Sequence, residues 1–150
     1  ANVNGILPLD SKLRGTVVLN IGKTPGAGLD FYNRLQNTLS LTRVVARPDS
    51  MEAIRKRLLG SHRVIVVVTS DDYKKYKTML DSLPADLPVV YVFLMPLKSM
   101  LDMEGYWKKA AAVVLGHSDE SVIQEYVADV LGGTGVCPWL SPICSNRVME

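Results

Sequence analysis

Five short β-branched runs, separated by amphipathic segments, constrain the fold of this chain more than any other feature. The runs are rich in valine and scarcely alternate with polar residues, which is typical of strands covered on both faces in a parallel sheet. Parallel neighbours need a long crossover, and a helix is its usual form. The predicted strands are TVVLNI (16–21), TRVVA (42–46), RVIVVVT (63–69), PVVYVFL (88–94) and AAVVLG (111–116).

Each gap after a predicted strand carries apolar residues at helical spacing, so we predict five helices that pack on the sheet. Asp49 and Glu52 are spaced as a capping box for the second helix, and Gly132 with the next glycine is expected to stop the fifth. The apolar stripes are Leu29, Tyr32, Leu35 and Leu39; Met51, Ile54 and Leu58; Tyr73, Tyr76, Leu80 and Leu83; Met100, Met103 and Trp107; and Ile123, Val127, Val130 and Leu131.

Five strand–helix units predict an α/β fold, a (βα)5 arrangement with a doubly wound five-stranded parallel sheet and right-handed crossovers. We expect the domain to span residues 15–132, after an N-terminal extension of residues 1–14. Residues 133–150, rich in glycine, proline and serine, indicate a C-terminal tail or linker. Cys137 and Cys144 in this tail are interpreted as reduced thiols, as a local redox pair, or as half of a zinc site.

The composition excludes several classes of protein. A chain of 150 residues with 47% apolar and 21% charged residues is an ordinary globular domain, and its net charge of +2 without a dense basic run argues against a nucleic-acid partner. No apolar run approaches the roughly 20 residues that span a bilayer, and the N-terminus lacks a signal-peptide pattern. We expect a cytoplasmic protein without membrane insertion. The first residue, Ala1, suggests a segment of a longer protein.

Functional residues in a doubly wound sheet lie in the loops after the strands, at their carboxyl ends. The third predicted strand runs into Ser70, Asp71 and Asp72, the first ends in NIGK, and the fifth ends in Gly116 and His117. With its five alternating strands and helices over residues 15–132, the chain resembles the receiver (CheY-like, flavodoxin-like) domains of two-component signalling.

The receiver resemblance implies magnesium-binding carboxylates after the first strand, an acceptor aspartate ending the third, a hydroxyl ending the fourth and a lysine ending the fifth. Here the first strand ends without a carboxylate, the fourth ends in FLMP and the fifth lacks a lysine. Asp71 and Asp72 lie one or two residues beyond the acceptor position. We therefore interpret them as vestigial acceptors that begin the third helix, where carboxylates favour the positive end of the dipole. No metal, cofactor or catalytic residue is expected.

Two alternatives rest on other loops. The sequence VVVTSDDY (66–73) resembles the third-strand region of TIR adaptor domains, from which ARPDS (46–50) departs because it lacks the Arg-Asp and Pro-Gly pattern of the TIR recognition loop. The third helix also lacks the Trp-Cys-x-x-Glu segment of the NAD-cleaving members, so this resemblance implies an interaction module rather than an NADase. The loop GKTPGAG, with Gly22, Lys23, Gly26 and Gly28, has the character of a phosphate-binding loop or of an ordinary turn. The first interpretation predicts a nucleotide- or phosphate-binding α/β domain, enzymatic or not, that uses this loop with Ser70, Asp71 and His117 at the strand ends. His117 is a candidate for acid–base work or pH sensing, or a solvated loop residue.

The favoured hypothesis is a pseudo-receiver: a signalling domain without phosphorylation chemistry that binds a protein partner or a neighbouring domain of its own chain. Receivers commonly use the surface formed by the fourth helix, fifth strand and fifth helix. Trp107 is placed there as a binding residue because Trp and Tyr are enriched at interaction hot spots, although it also fits the core. The predicted surface consists of Tyr106, Trp107, Lys108, Lys109, Glu120 and Gln124.

Overall fold

The centre of the molecule is a five-stranded sheet in which all strands run parallel, in the order β2-β1-β3-β4-β5. The computed structural model describes residues 15–96, 112–116 and 118–132, with the backbone alone at 71 and 77. The predicted α/β doubly wound fold is confirmed, and each strand boundary lies within one residue of its prediction. The strands are β1 (Thr16–Ile21), β2 (Leu41–Val45), β3 (Arg63–Val68), β4 (Val89–Phe93) and β5 (Ala112–Leu115).

The pairing of β1 with β3 forms the middle of the sheet. Six residue pairs are in register, from Thr16 opposite Arg63 to Ile21 opposite Val68. Every residue of both strands is buried, which suits β-branched side chains on a surface covered from both sides. The first residues of these strands are polar and are hydrogen-bonded to each other: Arg63 Nε donates a hydrogen bond to Thr16 Oγ1 at 3.0 Å.

Helices cover both faces of the sheet: α1 (Leu29–Leu35), α2 (Met51–Leu59), α3 (Lys77–Asp81) and α4 (Ser121–Gly132). A 3-10 turn, Pro48–Ser50, leads into α2, and a 3-10 segment, Asp71–Tyr76, leads into α3. The predicted helix that contains Met100, Met103 and Trp107 lies outside the described residues, as do both predicted terminal segments with Cys137 and Cys144. None of the described helices is both long enough and apolar enough to span a membrane.

Two apolar layers separate the helices from the sheet, one on each face. On one face, alternate residues of β1 and β3 pack against α2, α3 and the 3-10 segment 71–76. On the other face, the remaining residues of these strands pack against α1 and α4. The helix residues on the first face are Ile54, Leu58, Tyr73, Tyr76, Met79 and Leu80, and those on the second are Phe31, Leu35, Val127, Ala128 and Leu131.

Helix starts differ from the predicted pattern. The predicted capping box of Asp49 and Glu52 is wrong, because the 3-10 turn places Asp49 before the helix and Ser50 is the residue at the N-cap of α2, without a side-chain cap. Asp49 instead accepts a hydrogen bond from the Ser50 hydroxyl at 3.4 Å. The last described residue of helix α4 is Gly132, the first of the two glycines expected to stop it.

Polar contacts join α4 to α1 across about ninety residues of sequence. The Gln124 side chain accepts a hydrogen bond from the Phe31 backbone N–H at 3.0 Å and donates one to the Asp119 carbonyl at 2.7 Å. Gln124 is 6% exposed, so this amide acts inside the fold. Near it, Arg34 donates two hydrogen bonds to the carboxylate of Asp129, at 2.8 and 3.1 Å, on a more exposed part of the same contact.

Replacing Gln124 by methionine, which keeps the length of the side chain, should destabilise the protein. The Phe31 N–H and the Asp119 carbonyl would lose their partner, at a cost of about 1–3 kcal/mol for buried groups left unsatisfied. Urea denaturation followed by circular dichroism measures the change in the free energy of unfolding. Glu125→Met on the exposed side of α4 is the matched control, and equal effects of the two variants would contradict the assigned role.

Candidate binding cleft at the carboxyl edge of the sheet

A cleft of about 260 Å³ opens at the carboxyl edge of the sheet, above the neighbouring strands β2, β1 and β3. This is the edge at which the strand order reverses between β1 and β3, where ligand sites of doubly wound folds are found. The residues that line the cleft lie in the segments that follow β1, β2 and β3, except Val45, which is the last residue of β2. The lining residues are Gly22, Lys23, Thr24 and Pro25; Val45, Ala46, Arg47 and Pro48; and Asp72, Lys75 and Tyr76.

The loop of residues 22–28 is a fixed wall of this cleft. At its far end Asn20 Nδ2 donates a hydrogen bond to the Ala27 carbonyl at 2.9 Å, and near its middle Arg43 Nη2 donates one to the Pro25 carbonyl at 2.5 Å. Asn20 Oδ1 is buried without a hydrogen-bond partner among the described residues, so holding the loop costs some stability. Both anchoring side chains come from strands, so the loop is held at two points.

Two glycines of the loop are required by close approach. Gly28, at the start of α1, has φ of +77°, and a Cβ there would meet Asn20 Nδ2. A Cβ on Gly22 would meet Thr69 Oγ1 and the Ala27 side chain. Gly26 has open space around it. Packing therefore explains the glycines at two positions, 22 and 28, as the turn interpretation of this loop requires. Phosphate binding by the glycines of the loop stays a prediction.

Cationic side chains reach the cleft from all three loops. Lys23 follows β1, Arg47 follows β2 and Lys75 follows β3, and all three are exposed. Lys75 Nζ lies 3.5 Å from the Asp72 carboxylate, one turn earlier in the same segment. Over the stretches that the structure describes, Lys23 and Arg47 form no ion pair. Among the lining residues that the structure describes, the cleft therefore has three cationic groups and one carboxylate, Asp72.

Asp72 belongs to the turn that begins the 3-10 segment 71–76. The Ser70 hydroxyl donates a hydrogen bond to Asp72 Oδ2 at 3.0 Å and accepts one from the Asp72 N–H at 3.3 Å. Ser70 therefore caps the segment, and Asp72 is held by its two neighbours Ser70 and Lys75. The two aspartates do begin the third helical segment, as its bounds Asp71–Tyr76 show.

Tyr76 closes the inner side of the cleft and is 4% exposed. Burial, with the nearby negative charges of Asp72 and then Asp49, raises the pKa of its phenol above the usual value. Each of these causes disfavours the tyrosinate form. The phenol is therefore neutral, and able to donate a hydrogen bond, throughout the physiological pH range.

The remaining predicted site residues have different outcomes. Tyr106, Trp107, Lys108, Lys109 and His117 lie outside the described residues. Glu120 is exposed just before α4, as a surface residue should be. The prediction that Gln124 contributes to a binding surface is wrong, because its amide is buried and occupied by hydrogen bonds to α1 and to the preceding loop.

Sequence reasoning did not assign Arg47, Lys75 or Tyr76 to a site. In the sequence, Arg47 belongs to a loop that departs from the TIR pattern, and Tyr76 belongs to an apolar stripe that predicts core packing. Their common signal is position, since each lies within eight residues after a parallel strand that ends at the cleft. Within 15–96, 112–116 and 118–132, histidine, cysteine and acidic side chains form no group of three suited to a metal ion.

The comparisons with known proteins concern the fold. No family model matches the chain, and no curated protein matches it. A solved structure with a similar fold is described as a fungal multi-domain GH3 beta-N-acetylglucosaminidase with a unique GCN5-related glucosamine N-acetyltransferase region. The TM-score is 0.62 at 13% identity, and the match covers 88% of this chain and 16% of that chain. At this identity the likeness shows a shared fold.

Gly28→Ala should destabilise the protein strongly, whereas Gly26→Ala should not. An alanine in the left-handed region costs about 1–2 kcal/mol, and its Cβ would also displace the Asn20 amide, so we expect a loss of about 2 kcal/mol or more. At Gly26 an added methyl meets nothing within 4 Å, and restricting the unfolded chain should leave stability unchanged or slightly raised. Thermal and urea unfolding measure both variants. Similar losses at the two positions would contradict the proposed packing of the loop.

Stability should depend on the ionisation of Tyr76 at alkaline pH. Because the pKa of this phenol is raised in the folded state, its contribution is complete below the unfolded pKa of about 10 and is lost as pH rises through the folded pKa. The free energy of unfolding should therefore fall less steeply above about pH 10 in Tyr76→Phe than in the wild type. Urea titrations at several alkaline pH values measure this slope. Parallel slopes for both proteins would contradict the raised pKa.

Proposed function

We propose that this chain is a non-catalytic α/β domain that acts through contacts with a neighbouring domain or a protein partner. The observation that carries the proposal is the unequal coverage of the structural match: 88% of this chain corresponds to 16% of a multi-domain protein. Domains of about 50–250 residues have their own core and contact neighbouring domains through interfaces that resemble transient protein–protein interfaces. The 118 residues between 15 and 132 have the size and the separate core of such a unit.

A carbohydrate-active enzyme is the setting we favour. The similar chain is described as a beta-N-acetylglucosaminidase with a glucosamine N-acetyltransferase region, so an equivalent fold accompanies chemistry on amino sugars there. In this setting the domain packs beside a catalytic domain. The loops at the carboxyl edge of its sheet, including residues 22–28, are the part best placed to face a shared site, because ligand sites of such sheets form at that edge.

A pseudo-receiver in a signalling protein is the second candidate, and a specific observation favours it. The strand order β2-β1-β3-β4-β5 is the order of flavodoxin and of receiver domains. Asp72 lies beyond the end of β3 and is held by Ser70 and Lys75, so magnesium-dependent aspartyl phosphorylation is not expected in this setting either. We place this candidate second because many proteins of unrelated function share the same strand order. A TIR-like adaptor would likewise act as an interaction module.

The interaction surface predicted around Glu120 stays part of the proposal without Gln124. Glu120 is exposed just before α4, and Val122 in the first turn of α4 is 66% exposed, so a charged and an apolar side chain are both exposed at the start of this helix. This combination is suited to a binding surface of mixed character. Tyr106, Trp107, Lys108 and Lys109 complete the predicted surface from outside the described residues.

The proposal is tested by photo-crosslinking in the native host, with a photoreactive amino acid in place of Glu120 in the full-length gene product. We expect crosslinks to one site, either on another domain of the same chain or on one protein partner, identified by mass spectrometry of crosslinked peptides. The matched control carries the same amino acid at Lys56, which is exposed on α2 at the other face of the sheet. Equal crosslinking at both positions, or none at Glu120, would contradict the proposal.

Amide chemical shifts then distinguish the two settings. Beryllofluoride with magnesium should leave the amides of Ser70 and Asp72 unchanged, and acetyl phosphate should add no phosphate to either aspartate. N-acetylglucosamine added to the full-length protein should shift amides of residues 22–28 in the carbohydrate-active setting. A phosphate localised to Asp71 or Asp72 would instead make the chain a working receiver.

A further inference from the structure

The cleft at the carboxyl edge has the shape of a small-molecule site. Its volume of about 260 Å³ lies just below the roughly 300–1,000 Å³ typical of sites for drug-sized ligands. A single charged group with a small organic body would fit in it. Val45, the last residue of β2, lines the cleft, and the other lining residues all lie within eight residues after the end of β1, β2 or β3.

The charged residues that line the cleft indicate which class of ligand it would bind. Lys23, Arg47 and Lys75 line the cleft from three different loops, together with the Asp72 carboxylate, and Asp49 lies near enough to act on the Tyr76 phenol. The formal charge of the four lining groups is that of three cations and one anion, which leaves an excess of two positive charges. A phosphate monoester carries about two negative charges at neutral pH, whereas a carboxylate carries one. The lining of the cleft therefore carries a net positive charge that suits an anion, and a phosphate has more negative charge to pair with it than a carboxylate.

The groups that line the cleft also suit a phosphate in kind. Arg47 offers a planar set of donors that fits two phosphate oxygens, and lysines bind phosphate as point charges. The neutral phenol of Tyr76 adds a possible donor on the inner wall. Pro25, Val45 and Pro48 form apolar walls that would contact the organic part of the ligand. Donors and apolar surface thus occur together in one cleft.

We propose that this cleft binds a small phosphate monoester through Lys23, Arg47 and Lys75. The site differs from the glycine-loop hypothesis, because side chains from three strand ends bind the anion and the glycines serve to pack the loop. The Asp72 carboxylate competes with the ligand for Lys75, to which it is already paired at 3.5 Å. The proposal is independent of the interaction role, so either can fail without the other.

Binding is tested on the intact protein by following amide shifts during titration with inorganic phosphate and with glucose 6-phosphate, at low ionic strength and at physiological ionic strength. We expect shifts centred on residues 22–25, 46–48 and 72–76 with both phosphates and none with glucose. Lys23→Ala combined with Arg47→Ala should weaken binding by about tenfold or more, since each lost contact is a charge-assisted hydrogen bond. Asp72→Asn should strengthen it several-fold by releasing Lys75.

Two controls separate this site from general attraction of anions to a basic protein. Lys56→Ala combined with Arg57→Ala removes the same charge from the exposed side of α2 and should leave affinity within about twofold at physiological ionic strength, where the Debye length is about 8 Å and exposed charges outside the cleft are largely screened. Asp86→Asn, in the loop before β4 at the opposite edge of the sheet, should not strengthen binding. Equal effects of the two double variants, or shifts scattered over the surface, would overturn the proposal. Binding of inorganic phosphate without any gain from the sugar would assign the cleft to the free ion and overturn the monoester.

Discussion

The register between β1 and β3 is the interaction on which the rest of the structure depends. Six paired residues, all buried, place the ends of these strands side by side and bring the loops after them to one edge. A shift of one residue would move every side chain of one strand to the opposite face. Asn20 would then point away from Ala27, and the loop of residues 22–28 would lose its anchor. The core and the cleft are therefore set by the same hydrogen-bonded ladder.

Much of this arrangement is encoded in the sequence at short range. Valine-rich runs of five to seven residues predicted all five strands within one residue at each end, because residues of a strand buried on both faces must nearly all be apolar. The helix starts were harder to predict. The 3-10 turns at Pro48–Ser50 and Asp71–Tyr76 depend on local hydrogen bonds, such as that between Ser70 and Asp72, which compete closely with other caps.

Long-range contacts explain what the sequence did not reveal. Gln124 reads as a polar residue on an amphipathic helix, and its burial follows from a partner 93 residues earlier, the backbone N–H of Phe31. The members of the cleft were hidden for the same reason. Lys23, Arg47 and Lys75 lie more than twenty residues apart in sequence, and the strand order brings them together. Only the loops to be searched were predictable, because all parallel strands end at one edge.

The contact between α1 and α4 has a consequence for folding kinetics. Gln124, Ser121 and Asp129 reach partners on α1 that precede them by 91 to 95 residues, so the chain must close a very long loop before these hydrogen bonds form. Such distant contacts slow folding, and they are expected to form late. Until α4 docks, the apolar layer beneath it, including Val18 and Leu35, is exposed to water. A nascent chain that has emerged only as far as β5 is thus open to aggregation and to recognition by chaperones.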